Sequence, residues 1–217
     1  MKRSPDAIVH ADQARYLESL EPARDALLRE MEADAAARDL PISDPEVASF
    51  LAVTAAARAP AFVVELGTNI GYGAIVLARA AGSSAKVLTV EYAAHHCITA
   101  RGYIERAGLS GQIEVREGAA LAVLEGIAGG IDLAYVDCVK EEYSAYLELL
   151  VPRLSARGVV IADNVLWRGY VAKSVVPESE QERTRCLRAF NDALIRHPSL
   201  RGVILPLGDG VAYAVKV

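Results

Sequence analysis

From residue 61 onward, short runs rich in β-branched residues alternate with longer stretches rich in Ala and Leu, and this alternation restricts the possible folds most. Ala61 to Leu66, Lys86 to Glu91, Gln112 to Arg116, Ile131 to Asp137 and Gly158 to Asp163 read as five parallel strands. The stretches between them predict helices at about 72–81, 93–107, 118–128 and 141–153. Strand and helix in turn is the signature of a doubly wound α/β sheet covered on both faces. After a helix ending near His197-Pro198, two more runs flank Gly208-Asp209-Gly210, which predicts a hairpin and a closing antiparallel strand. The expected fold class is therefore α/β, with a mostly parallel, seven-stranded sheet.

Ahead of this lies a helical preface. Leu17, Leu20, Leu27, Leu28 and Met31 recur at helical spacings, and Pro22 divides them into two helices. Ser43-Asp44-Pro45-Glu46 then reads as a capping box that opens a helix over about 44–58. The expected division is a helical extension over residues 1–40 and one α/β domain over 41–217.

Composition removes several classes of function. Of 217 residues, 53% are apolar and 24% charged, which is globular composition. The 23 basic and 28 acidic residues leave a net charge of -5, so no electropositive surface for nucleic acid is expected. Cys97, Cys138 and Cys186 are odd in number and widely spaced, which argues against a disulfide framework or structural zinc. The first twenty residues lack the apolar stretch of a secretory leader, and no run is long enough to span a bilayer. A soluble protein of the reducing cytoplasm, with no membrane partner, is expected.

Two constellations carry chemistry. Glu65-Leu-Gly67-Thr68-Asn-Ile-Gly71-Tyr72-Gly73 ends the first strand and opens a helix, where glycines let backbone turn tightly and approach a ligand. It is not G-x-G-x-x-G, and it better suits a nucleoside with an amino-acid tail. Glu91 ends the second strand, where a carboxylate can accept both ribose hydroxyls. The second constellation is Asp137 and Lys140 after the fourth strand, with Asp163 and Asn164 after the fifth. Adjacent strand ends share one crevice, so two carboxylates and an amide oxygen can face one point and suit Mg²⁺ better than zinc. Each group alone also fits a plain turn-forming role.

Lys140 stands at the opening of a helix, where the macrodipole disfavours a cation, and such a local violation points to function. A neutral amine beside a metal could serve as base toward a substrate hydroxyl. Trp167, the only tryptophan, reads either as the wall of an aromatic substrate site or as a packing anchor. His95-His96 makes a poor metal pair, and Cys97 and Cys186 read as packing residues.

Together these blocks resemble the cation-dependent O-methyltransferases of the catechol and caffeoyl-coenzyme A type. The resemblance covers about residues 40–217 and is carried by VVELGTNIGYGAIVLARA, VLTVEY, IDLAYVDCVKEEYSAYLELLVPRL, GVVIADNVLWRGYV and ILPLGDGVAYAVKV. It implies the Rossmann-like class I methyltransferase fold and S-adenosylmethionine as methyl donor. The donor's methionine part would lie against Glu65, Gly67, Thr68, Gly71, Tyr72 and Gly73. Glu91 would hold its ribose, Gly118 and Ala119 its adenine, and Asp137 would also border it. Asp137, Asp163 and Asn164 match the family's ligands for Mg²⁺, or another divalent ion such as Mn²⁺ or Ca²⁺. Lys140, with Asp137, matches the catalytic group, and Lys140 and Trp167 would touch a vicinal dihydroxy aromatic acceptor. A homodimer is implied in the same way.

Two departures stand out: Gly73 where the family usually has Ser, and Cys138-Val139 between Asp137 and Lys140. Two rival readings are a nicotinamide-dependent oxidoreductase on a similar sheet and a non-catalytic nucleoside-binding module.

Overall fold

The computed structural model describes residues 10–217; the first nine residues of the expected extension, and of the segment read as lacking a leader, lie outside them. Strand side chains alternate between sheet faces, and the core divides accordingly. In β4 (Ile131–Val136), Leu133 and Tyr135 join one apolar cluster while Ala134 and Val136 join the other. In β5 (Leu154–Ala162), Val159 and Ile161 part from Val160 and Ala162 in the same way. Both faces therefore need cover.

Helices α2 (Ala26–Arg38), α3 (Pro45–Arg58), α4 (Tyr72–Ala81) and α5 (Ala94–Arg106) cover one face through Met31, Leu51, Ile75 and Ala100. Helices α6 (Ala120–Glu125), α7 (Tyr143–Arg153) and α8 (Gln181–Arg196) cover the other through Leu124, Leu150 and Phe190. Helix α1 (Ala11–Ser19) buries no residue. The remaining strands are β1 (Phe62–Leu66), β2 (Lys86–Glu91), β3 (Ile113–Glu117), β6 (Leu200–Leu205) and β7 (Val211–Lys216).

The sheet has the order β3-β2-β1-β4-β5-β7-β6, and β7 runs antiparallel to both neighbours while the other six strands share a direction. This is the doubly wound, seven-stranded sheet expected. Strand order reverses between β1 and β4, and the crevice outside such a switch point is where open α/β sheets take ligands.

Local departures have local causes. The capping box does not form: Asp44 occupies the N-cap of α3 without a side-chain capping bond, and Pro45 starts the helix. The Ser43 hydroxyl instead pairs with the Tyr135 hydroxyl at 2.9 Å. Helix α6 is only 6 residues long, because Gly118 has φ 150° and Gly126 already occupies the C-cap. Strand β5 starts earlier than expected, with a register shift where Leu154 and Val159 meet Ile131 and Leu133. Helix α7 begins at Tyr143, so Lys140 sits on a separate one-turn 3-10 segment rather than in the α-helix.

Candidate active site

A cleft of about 790 Å³ opens at the carboxyl ends of β1, β2, β4 and β5, and it is lined by both sequence constellations. The loop after β1 is drawn into place by backbone and carboxylate. Gly67 N–H donates to the Val90 carbonyl at 3.0 Å, and Asn69 N–H donates to Glu91 Oε2 at 2.8 Å. Glu91 Oε1 accepts from Ala93 N–H at 2.9 Å, so one carboxylate fastens this loop and the approach to α5. Gly67 has φ 103°, and a Cβ there would lie 2.0 Å from the Asp137 carbonyl oxygen. Only glycine lets the loop cross the end of β4 at this distance. Gly71, with φ 91°, forms the N-cap of α4.

Glu65 lies beneath this loop and is 1% exposed. In the sheet register it sits between Thr89 and Tyr135. Burial pushes its carboxyl up to about 8; the Thr89 hydrogen bond opposes this, and the charges of Asp137 and Glu91 add to it. A Cβ at Gly73 would come within 2.2 Å of Glu65 Oε1. The glycine that departs from the family pattern is thus the residue against which the carboxyl rests. Thr68 also turns inward, and its hydroxyl pairs with that of Thr89. Tyr72 lines the cleft, but its hydroxyl donates to Glu32 of α2 at 2.6 Å.

Asp137 and Asp163 follow neighbouring strands, and each N–H donates at 2.9 Å to the strand beside it, Asp137 to Leu66 O and Asp163 to Val136 O. Asp163 is 2% exposed. Its Oδ1 accepts from Asn164 N–H at 2.6 Å, and its Oδ2 accepts from the Tyr135 hydroxyl at 3.4 Å. Burial, reinforced by the nearby Asp137 charge, pushes the Asp163 carboxyl up to about 7. Asn164 adopts φ 58°, a left-handed turn that Asn tolerates better than most residues. Lys140 Nζ donates to Asp137 Oδ1 at 2.7 Å and to the Tyr143 hydroxyl at 3.0 Å. Burial by itself would lower the ammonium's pKa, but Tyr143 and Asp137 outweigh it and the net shift is upward. The ion pair to Asp137 offsets the unfavourable position read from the sequence.

The wall after Asn164 is built from consecutive left-handed residues: Trp167 has φ 45°, Arg168 φ 53° and Gly169 φ 74°. For non-glycine residues this costs roughly 1–2 kcal/mol each. The segment is fastened to the β6–β7 turn, where Val165 N–H donates to Gly210 O and Leu166 N–H to Asp209 O, both at 3.0 Å. Arg168 N–H donates to Asp209 Oδ1 at 2.7 Å, and Trp167 Nε1 donates to Glu180 Oε2 at 2.8 Å. Trp167 and Arg168 line the cleft.

Every residue expected to act at the site, including Gly118 and Ala119, lines this one cleft except Gly71, which caps α4 behind it. Sequence reasoning missed Ser43, Tyr135 and Tyr143. The Tyr135 hydroxyl, paired with that of Ser43, donates to Asp163, and the Tyr143 hydroxyl accepts from Lys140; only the parity of β4 side chains or an i, i+3 relation to Lys140 could have singled out the tyrosines. The His95-His96 pair, read from the sequence as a poor metal pair, also reaches the site. His96 lines the cleft, with Nδ1 3.7 Å from Glu91 Oε1. Its ring lies 4.1 Å from that of His95, rather than turned away from it.

Comparison with known proteins agrees with this geometry. A family model described as O-methyltransferase matches residues 18–217. A catechol O-methyltransferase from Mycobacterium tuberculosis is 37% identical over 153 residues, covering 70% of this chain and 67% of that protein. A catechol O-methyltransferase from Niastella koreensis is 32% identical over 181 residues, covering 79% and 80%. Tricin synthase 2 from Oryza sativa is 30% identical over 178 residues, and the match covers 78% of this chain but only 61% of that protein. Among solved structures, an O-methyltransferase from Bacillus cereus in complex with SAH superposes with a TM-score of 0.85 at 28% identity, covering 95% of this chain and 97% of that one. A doubly wound sheet with one antiparallel strand, a glycine loop at its switch point and a family match over nearly the whole length converge: the chain belongs to the O-methyltransferase family.

Proposed function

We propose that the protein transfers a methyl group from S-adenosylmethionine to one hydroxyl of a vicinal dihydroxy aromatic, with a divalent cation held by Asp137, Asp163 and Asn164. The observation that carries this reading is the meeting of those three side chains, Lys140 and the glycine loop in one cleft. Among the described residues no group of three or more His, Cys, Asp or Glu could hold a metal ion; the donor set proposed has two carboxylates and an amide. It fits a hard cation, since the Asp163 carboxyl is buried beside a like charge, and all three donors are oxygens. When bound, the cation would supply charge that lowers the pKa of an acceptor hydroxyl.

The chain's own residues supply the rest. The loop from Gly67 to Gly71 and the Glu91 carboxylate would bind the donor at the β1 and β2 ends, and Glu65 would border its amino-acid part. Trp167 would present an aromatic wall to the acceptor. Lys140 would take the acceptor proton at Nζ, which requires its ammonium first to lose its own proton and part from Asp137. Because the donor is already electrophilic, alignment is the main contribution asked of the protein, and alignment can supply about 7–11 kcal/mol.

The nicotinamide and binding-module readings are not favoured by the family match. The test is methyl transfer to simple catechols, followed by mass spectrometry with Mg²⁺ or with excess chelator. Turnover that stops in chelator and is abolished in Asp137→Asn, with S-adenosylhomocysteine binding retained, is the expected result. Full turnover in chelator would overturn the metal assignment, and failure to bind S-adenosylhomocysteine would overturn the donor assignment.

A further inference from the structure

Resting on that reading, we propose that Arg168 forms an anion-recognising subsite at the acceptor end of the cleft, so that the preferred acceptor is a dihydroxy aromatic bearing a carboxylate or phosphate. Of the arginines among the described residues, only Arg157, Arg168 and Arg201 make no side-chain hydrogen bond, ion pair or ring contact, and of these only Arg168 lines this cleft. Its neighbours are all engaged. Arg183 pairs with Glu141 at 3.0 Å, Arg185 pairs with Glu182, and Arg188 donates to the carbonyls of Tyr170, Val171 and Lys173. A guanidinium left free beside so many carboxylates has its donors available to a ligand.

The backbone at this position is set, not loose. Arg168 holds φ 53° between Trp167 and Gly169, both also left-handed, and its N–H is fixed on Asp209 Oδ1 at 2.7 Å. Strained residues over-determined by their surroundings cluster at ligand sites. The other charged side chains of the lining are mostly acidic, with Asp44, Glu91, Asp137, Glu142 and Asp209 among them. Its other cationic side chain, Lys140, is committed to Asp137, and His96 stands beside Glu91 at the β2 end. With the acceptor's two hydroxyls taken up at the cation site, the uncommitted cationic side chain left among the described lining residues for an anionic substituent is Arg168. Arg168 follows Trp167 directly, so the ring of an acceptor against the tryptophan would carry its substituent toward the guanidinium, whose planar fork suits carboxylate and phosphate alike.

The experiment compares 3,4-dihydroxybenzoate, its uncharged amide, and the phosphate monoester of 3,4-dihydroxybenzyl alcohol. Each is assayed for kcat/KM and for affinity through quenching of Trp167 fluorescence, which is unambiguous because the chain has a single tryptophan. The wild-type protein is expected to favour an anionic acceptor over the amide by about tenfold, and the better of the two identifies the anion. Arg168→Gln is expected to erase that preference through KM rather than kcat, with a matching loss in the quenching titration. Arg168→Lys, which keeps the charge and loses the fork, should retain part of it. Equal effects of Arg168→Gln on acid and amide, or no preference in the wild type, would overturn the subsite. Methylation of the amide with no anion preference sinks this inference alone, whereas methylation of none of the three sinks the reading beneath it.

Discussion

Gly67 is where two halves of the site touch, and its requirement is steric as well as conformational. An added Cβ would meet a backbone carbonyl at 2.0 Å, and no flexible side chain is available to yield. Gly108 also has a positive φ, 71°, yet nothing lies within 4 Å of its Cβ position. Gly67→Ala is therefore expected to destabilise the protein by about 3 kcal/mol, combining left-handed strain with overpacking. Gly108→Ala should cost only about 1 kcal/mol, the backbone share. Urea unfolding of both variants checks this, and equal losses would show that the close approach to Asp137 has no energetic weight. The motif made Gly67 legible as a turn glycine, because its place after a β-branched run is local information. The partner it must avoid lies seventy residues away and is not readable from spacing.

At the scale of elements, strands and helices were largely legible because alternation, helical spacing and turn chemistry are local. What failed were ends. Ser43 has the right spacing for a cap, but its hydroxyl bonds to Tyr135 on the neighbouring strand instead, a competition settled only by the packed structure. Helix α2 was legible as a helix but not as part of the core, although Met31 and Ala35 are buried in the cluster that covers β1 and β4. It is tied to α4 by Glu32, which accepts from Tyr72 and pairs with Arg24 Nε, each at 2.6 Å, and by Asp25 with Arg79 at 2.7 Å. Glu32→Gln weakens one charge-assisted bond and one ion pair, at a cost of about 1–2 kcal/mol. Hydrogen exchange should quicken over residues 26–38 and the first turn of α4, and stay as it was in α7 and α8. Uniform protection in both regions would mean that Glu32 does not hold the helix down.

For the whole molecule, the buried Glu65 links global stability to pH. Burial pushes its carboxyl up to about 8 in the folded state, against 4.5 for an ordinary exposed glutamate. Between those values the folded chain holds a proton that the unfolded chain releases, so this contribution is complete below about 4.5 and is lost as pH rises through about 8. Glu65→Gln removes the proton exchange. Its stability relative to the wild type should climb from pH 5 to pH 8 in denaturant titrations of the ligand-free protein, and a constant difference would refute a buried acid. Burial of this kind was invisible in the sequence, where Glu65 reads only as a ligand-facing residue. One further consequence follows from fastening the wall at Val165, Leu166 and Arg168 to the turn at Asp209 and Gly210. During synthesis the wall beside Trp167 gains its backing only after residue 210 emerges from the ribosome, so this side of the cleft is among the last parts of the molecule to be completed.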